Sequence, residues 1–134
     1  MGYLKRLPKN YLITITEIPP LQKSSSFQRN EIAKLETNRL LSATLPNSTL
    51  IALDERGTEW TTVELSKKIT TWQQQSISII IGGANGLNQA ALQKCHLIWS
   101  LSKLTLPHQL VRVLLVEQLY RAWSIINQHP YHRN

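Results

Sequence analysis

A single cysteine, Cys95, stands in a chain of 134 residues. A lone thiol excludes an intramolecular disulfide and a cysteine-rich metal cluster, and with them a secreted disulfide scaffold or a zinc ribbon. Long apolar runs are missing too. The stretches at 79–81 and 113–116 fall far short of the roughly 18 residues that a membrane span needs. No basic-then-apolar leader opens the chain. These absences point to a cytoplasmic protein with no membrane partner. Acidic side chains are scarce after position 64, where Glu117 stands alone, so that half cannot furnish a two-metal centre. There is no GxSxG elbow and no HExxH pair. No metal site is therefore expected, and no serine-hydrolase or zinc-protease chemistry.

What is present suits one globular domain spanning 1–134. A chain of this size can bury roughly two-thirds of its unfolded surface in a core. The charge is one-sided. Residues 1–64 hold eight basic and seven acidic side chains, whereas residues 65–134 hold seven basic ones against Glu117. Three of the four histidines lie in the last 27 residues. A basic half of this kind attracts a polyanion, and nucleic acid is the partner that such a patch suggests.

The periodicity alternates between two and 3.6. Residues 11–17, 48–53, 76–81 and 97–101 read as strands, being β-branched or continuously apolar between breakers. A helix is expected from Asn30 towards Pro46. A second starts at Thr61, where Thr61 and Glu64 form a capping box ahead of the stripe Leu65, Ile69 and Trp72. A short helix from Asn88 to about Cys95 follows. A long one from about His108 to Ile126 opens after Pro107, a residue suited to a helix's first turn. Alternating strands and helices imply an α/β fold, with a mainly parallel sheet and helices on both faces.

In such a sheet, ligands bind beyond the carboxyl ends of the strands. Three segments leave those ends: the loop from Leu53 to Gly57, the GGANG turn at 82–86, and residues 101–106. The glycines at 82, 83 and 86 admit close backbone approach, but GGANG is neither a dinucleotide fingerprint nor a Walker loop. In SLSKLTLPH, residues 100–108, Leu101, Leu104 and Leu106 are placed to wall an apolar slot whose backbone can bond a flat heterocycle. The plainer reading is a short extra strand. Arg112, early in the long helix, is a candidate phosphate or RNA contact. Glu117 and Arg121, spaced i,i+4, read as a structural ion pair. The tail HPYHR at 129–133 joins two histidines, an aromatic and an arginine, groups that stack on a base and bind phosphate. Cys95 reads as a small buried apolar residue rather than a nucleophile.

These segments carry a resemblance. IIIGGANGL at 79–87, SLSKLTLPHQLVRVLLVEQLYRAWSI at 100–125 and NQHPYHR at 127–133 resemble the RlmH family, small SPOUT-class methyltransferases of large-subunit ribosomal RNA. YLKRLP at 3–8, EIPP at 17–20 and ALDERG at 52–57 fit the same family. The resemblance implies a SPOUT-type fold with a C-terminal trefoil knot, a homodimer, and S-adenosyl-L-methionine as cofactor. It implies methylation of N3 of a pseudouridine in 23S rRNA of the ribosome. By motif match, the cofactor contacts are Leu53, Gly82, Leu101, Ser102, Lys103, Leu104, Thr105 and Leu106. The tail residues His129, Tyr131, His132 and Arg133 are the catalytic candidates, with Arg133 and Arg112 as RNA contacts. Transfer from a sulfonium needs no protein nucleophile, so what the site must supply is alignment and exclusion of water.

One departure stands out. Members of the family begin with a further strand and the early part of a helix ahead of the segment matching YLKRLP. If that strand is lost, a neighbouring strand is left with an open edge. The alternative reading is then a catalytically impaired module that binds RNA or the ribosome. A third is a nucleotide-binding protein acting on a small ligand, which a basic C-terminal half argues against.

Overall fold

The computed structural model describes residues 12–17, 47–73, 75–82, 87 and 89–128, together with positions 35, 38–39 and 42–44. Four parallel strands form one sheet: β1 (Leu12–Glu17), β2 (Thr49–Glu59), β3 (Ser76–Ile81) and β4 (Leu97–Ser100). Their spatial order is β1-β3-β2-β4, so β3 and β2 are central. Three helices are described over their whole length: α1 (Thr62–Thr71), α2 (Gln89–Gln93) and α3 (His108–Ile126). The expected α/β class with a parallel sheet is found, and the strands at 76–81 and the helix at 108–126 have the expected bounds. Of the helix expected from Asn30, the described positions 35, 38–39 and 42–43 are helical.

Strand alternation divides the core in two, as the period of a pleated strand requires. Ile51 and Leu53 of β2 and Ile77, Ile79 and Ile81 of β3 face one side. There they meet Leu65, Ile69 and Trp72 of the α1 segment and Leu115, Leu119 and Ala122 of α3. Leu50, Ala52 and Ile80 face the other side and meet Leu87, Ala91 and Leu92, with Cys95 and Ile98 packed against them. Helices thus cover both faces, α1 and α3 on one and α2 on the other. The stripe 65–69–72 is buried as its spacing predicts. Each such side chain contributes on the order of 2 kcal/mol of apolar transfer. Ser78, wholly buried in β3, shares a 2.9 Å hydrogen bond with the hydroxyl of Ser48, so neither polar group is left dry and unsatisfied.

The local signals hold as well. Thr61 Oγ1 accepts from the Glu64 amide at 3.0 Å, and the Thr61 amide donates to Glu64 Oε1 at 3.0 Å. This reciprocal box lowers the Glu64 pKa through the bonds from Thr61. Arg121 Nε donates to Glu117 Oε1 at 2.7 Å, giving the expected i,i+4 pair. Pro107 is the N-cap of α3 rather than its first helical residue.

One expectation needs correction. The sequence placed a loop at Asp54–Gly57 after a strand ending at Leu53. Instead β2 runs on to Glu59, with a register shift inside it. Both Leu53 and Thr58 pair with Trp99, so residues 54–57 swing out of the ladder and the chain then rejoins β4. Stacking explains the return. Trp60 lies on Trp99 at 4.9 Å between ring centroids, tilted 21°, and Lys68 sits 5.4 Å above Trp60. Aromatic stacking of this kind adds about 1 kcal/mol beyond burial. Polar residues in the excursion hid the continuing strand from a period-two reading. Likewise α2 ends at Gln93, so Cys95 follows the helix instead of closing it.

Candidate cofactor and active site

All four strands point the same way, so their carboxyl ends share one edge of the sheet. Leu53 pairs with Ile81 across the β2–β3 ladder. Gly82, the next residue, is therefore beside Leu53, and both are buried. Leu53 also pairs with Trp99 of β4, two residues before Leu101. Leu53, Gly82 and the segment after β4 therefore lie together at this edge, although β2 itself runs past Leu53 to Glu59.

Side chains then tie the exits together. The Asp54 carboxylate receives the Arg56 amide and Nε on Oδ1, at 2.9 and 2.7 Å, and Arg56 Nη2 on Oδ2 at 2.8 Å. Nη2 also donates to the Leu87 carbonyl at 2.8 Å. The arginine fork thereby joins the β2 excursion to the segment that follows β3. Its hydrogen bonds hold the Asp54 carboxyl below its ordinary value, outweighing the opposing effect of burial. From the β4 side, Lys103 Nζ donates to the carbonyls of Gly57 at 2.7 Å and Glu55 at 3.3 Å. Thr105 Oγ1 donates to Glu55 Oε2 at 2.8 Å. The excursion is thus the hub between the other two exits.

Gly57 makes that closeness possible. A Cβ there would stand 2.5 Å from the Ile98 carbonyl oxygen. Its φ lies outside the left-handed region, so the demand is for space and not for conformation.

The segment after β4 is not an extra strand. Ser100 Oγ donates to the Ser102 carbonyl at 2.8 Å, and the Leu104 amide donates to Ser102 Oγ at 3.0 Å, folding 100–104 into a turn. Of its three leucines, Leu101 packs on the larger core and Leu106 is half-buried, while Leu104 is 72% exposed. They do not form one continuous wall. Lys103 and Thr105 direct their side chains into the β2 excursion.

Arg112 lies at the same edge. Its Nη1 donates to Glu17 Oε1 at 2.9 Å, at the end of β1. Both side chains are well exposed, and such a pair contributes little to stability. The candidates His129, Tyr131, His132 and Arg133 lie outside the described residues, as do residues 83–86 of the GGANG turn. Cys95 is half-buried, its Sγ is 3.6 Å from the Ala91 carbonyl, and burial pushes its thiol pKa up. That environment suits packing, not nucleophilic attack. His96 is also remote from this edge: its Nδ1 accepts from the Leu50 amide at 3.0 Å, near the start of the strands. Among the described residues no group of three His, Cys, Asp or Glu could hold a metal ion. No described helix is long and apolar enough to cross a membrane.

Sequence reasoning missed Asp54 and Arg56. The Asp-x-Arg spacing in a strand-end loop was a usable signal, since it allows a turn in which the arginine folds back on the carboxylate. That Leu87 lies across from it was not legible, because 31 residues separate the two.

This parallel sheet, with backbone-rich exits gathered at one edge, has the architecture of a SPOUT methyltransferase. The family described as "Predicted SPOUT methyltransferase" matches residues 1–132. A probable methylase family protein from Haemophilus influenzae Rd KW20 has a similar fold: TM-score 0.52 at 16% identity, covering 91% of this chain and 69% of that one. The "Ribosomal RNA large subunit methyltransferase H" of Nitrosococcus oceani is 44% identical over 98% of this chain and 85% of its own length. Its namesake in Ralstonia pickettii is 49% identical over the same shares. The chain belongs to the SPOUT methyltransferase family and, within it, to the ribosomal RNA large subunit methyltransferase H group.

Proposed function

We propose that this protein is an S-adenosyl-L-methionine-dependent methyltransferase that modifies N3 of a pseudouridine in 23S ribosomal RNA of the large subunit. Family membership supports the reaction class. The observation that carries the site is the tying of three strand exits into one cradle by Arg56, Lys103 and Thr105.

The residues present fit the cofactor. Leu104 offers an exposed apolar side chain beside a turn rich in main-chain groups, which suits a flat heterocycle. Leu53, Gly82 and the residues Leu101 to Leu106 would hold the group. When bound, it supplies an electrophilic methyl on a sulfonium for direct in-line transfer to the ring nitrogen. The chain's own task is to position that nitrogen and shield it from water. One of His129 and His132 accepts the N3 proton, Tyr131 stacks on the base, and Arg133 stabilises charge developing on the ring carbonyls. Arg112 contacts RNA phosphate from its place at the sheet edge. The family's C-terminal trefoil knot belongs to the same reading.

The enzyme works as a cytoplasmic homodimer. Leu110 and Val113, 44% and 51% exposed on α3, give an apolar surface for a second copy. The tail of one protomer then completes the partner's site, so mixing tail-deleted with loop-mutated protomers should restore activity.

Calorimetric titration with S-adenosyl-L-methionine, followed by label transfer to purified ribosomes and to bare rRNA, tests the whole reading. Binding and label on one of the two are expected; binding without label on either leaves only an RNA-binding module. Arg133→Ala should lower turnover far more than cofactor affinity, and equal loss of both would reject its role.

A further inference from the structure

We propose that Arg56 is a positioning residue: locked in a fork by Asp54, it fixes the Leu87 carbonyl against the β2 excursion and so sets how Leu87 sits relative to the 101–106 turn. The inference rests on the cofactor reading above and goes one step deeper into that site.

Two facts set this pair apart from an ordinary surface ion pair. First, the Asp54 side chain is only 7% exposed, although that of Arg56 is 52% exposed. An exposed pair would be worth little. Here the carboxylate is largely out of water and each of its oxygens is occupied by Arg56. Second, the fork does not end on its own loop. Nη2 reaches the carbonyl of Leu87, whose side chain is buried among Ala52, Ile80 and Ala91 in the smaller core. The Leu87 backbone is therefore held from two directions, by the core beneath and by the guanidinium above.

Geometry accounts for the residue type. A guanidinium presents several donors in one rigid plane, so it can satisfy both carboxylate oxygens and still reach a third acceptor. A lysine ammonium has no such plane and cannot make this set of bonds at once. Position matters equally. Gly82 leaves β3 beside Leu53, and Leu87 marks the far end of the same connection. The excursion bearing Arg56 is also the one grasped by Lys103 and Thr105. Movement of Leu87 would therefore alter its distance to the 101–106 turn, since both are tied to the β2 excursion.

The test combines Arg56→Ala, Arg56→Lys, Asp54→Asn and the Asp54→Asn/Arg56→Ala double variant. S-adenosylhomocysteine is titrated calorimetrically, and steady-state kinetics are run with cofactor varied. Either change at Arg56 should raise the dissociation constant roughly tenfold, the lower range for a lost charge-assisted bond. KM for the cofactor should rise in step, with kcat at saturating cofactor kept within about twofold. Asp54→Asn should act in the same direction, and the double variant should be no worse than Arg56→Ala. Failure of lysine to rescue identifies the fork, not the charge, as the requirement.

Hydrogen exchange in the ligand-free protein reads the tie without any cofactor. The peptide Leu87–Gln93 should exchange several-fold faster in Arg56→Ala. Unchanged affinity with unchanged exchange overturns the proposal, as does a fall in kcat at intact affinity. Should Arg56→Ala fail to fold, Arg56→Lys carries both measurements. If the wild-type protein binds no S-adenosylhomocysteine, the proposed function falls, and the exchange result alone decides for or against the tie.

Discussion

Gly57→Ala is the sharpest test of how the site is built. The new Cβ would lie 2.5 Å from the Ile98 carbonyl oxygen, 2.6 Å from its carbon and 2.8 Å from Cγ2. Ordinary contact begins near 3.4 Å, so β2 and β4 must part locally by roughly 0.9 Å. The nearest obstacles are backbone atoms of a parallel ladder, which cannot rotate away. Overpacking costs about 1–3 kcal/mol, and a backbone obstacle puts this site in the upper part of that range. For a domain of this size, that is a fall in Tm of roughly 6–12 °C. A second effect follows from the same displacement. The Gly57 carbonyl accepts Lys103 Nζ at 2.7 Å. A shift near 1 Å takes that bond beyond useful length. Cofactor affinity should therefore fall along with stability. Thermal and urea unfolding read the first effect, and calorimetry with S-adenosylhomocysteine at a temperature where the variant is folded reads the second. An alanine variant with wild-type Tm and wild-type affinity would refute the close approach on which the cradle depends.

Three other outcomes are expected. The Asp54 carboxyl has a lowered pKa because of its bonds from Arg56, so its contribution is complete above the ordinary carboxylate value, about 4, and is lost as pH falls through the lowered native value. Urea midpoints taken from about pH 6 to about pH 2 should fall more steeply for the wild type than for Asp54→Asn; parallel curves would contradict the fork. Cys95 should react slowly with a disulfide reagent at neutral pH, since burial raises its pKa, and Cys95→Ala should keep turnover within about twofold; rapid labelling or lost activity would restore it as a candidate nucleophile. Thr61→Ala removes the side-chain arm of the capping box, in which Thr61 Oγ1 accepts from the Glu64 amide, while the main-chain arm to Glu64 Oε1 remains; it should cost about 1 kcal/mol in urea unfolding, with no change in cofactor affinity.

Much of the fold was legible because its causes are local. The capping box needs only Thr61 and Glu64, three residues apart, and the buried stripe of α1 needs only the 3.6 period. Strand β3 shows its period and its buried class in SISIII alone. The bounds of α3 follow from Pro107 and the change of composition after Ile126. Strand-end reasoning pointed to this edge because a parallel sheet must place all its carboxyl ends on one side, but it took Leu53 for the end of β2, which runs on to Glu59. The reading failed at residues 54–59. A strand that leaves its ladder and returns has no period to detect, and the stack of Trp60 on Trp99 that brings it back joins residues distant in sequence.

By itself the sequence determined most of the helices and strands, which side of each is apolar, and which family the chain resembles, but not the run of β2 past Leu53. Those properties depend on neighbours within a few positions, where spacing maps directly onto direction. Tertiary structure alone decided that Arg56 reaches Leu87, that Lys103 grips the carbonyls of Glu55 and Gly57, and that Gly57 must lack a side chain. Each of those contacts joins atoms more than 30 positions apart, and only the packing of parallel strands at about 5 Å spacing brings them within bonding distance.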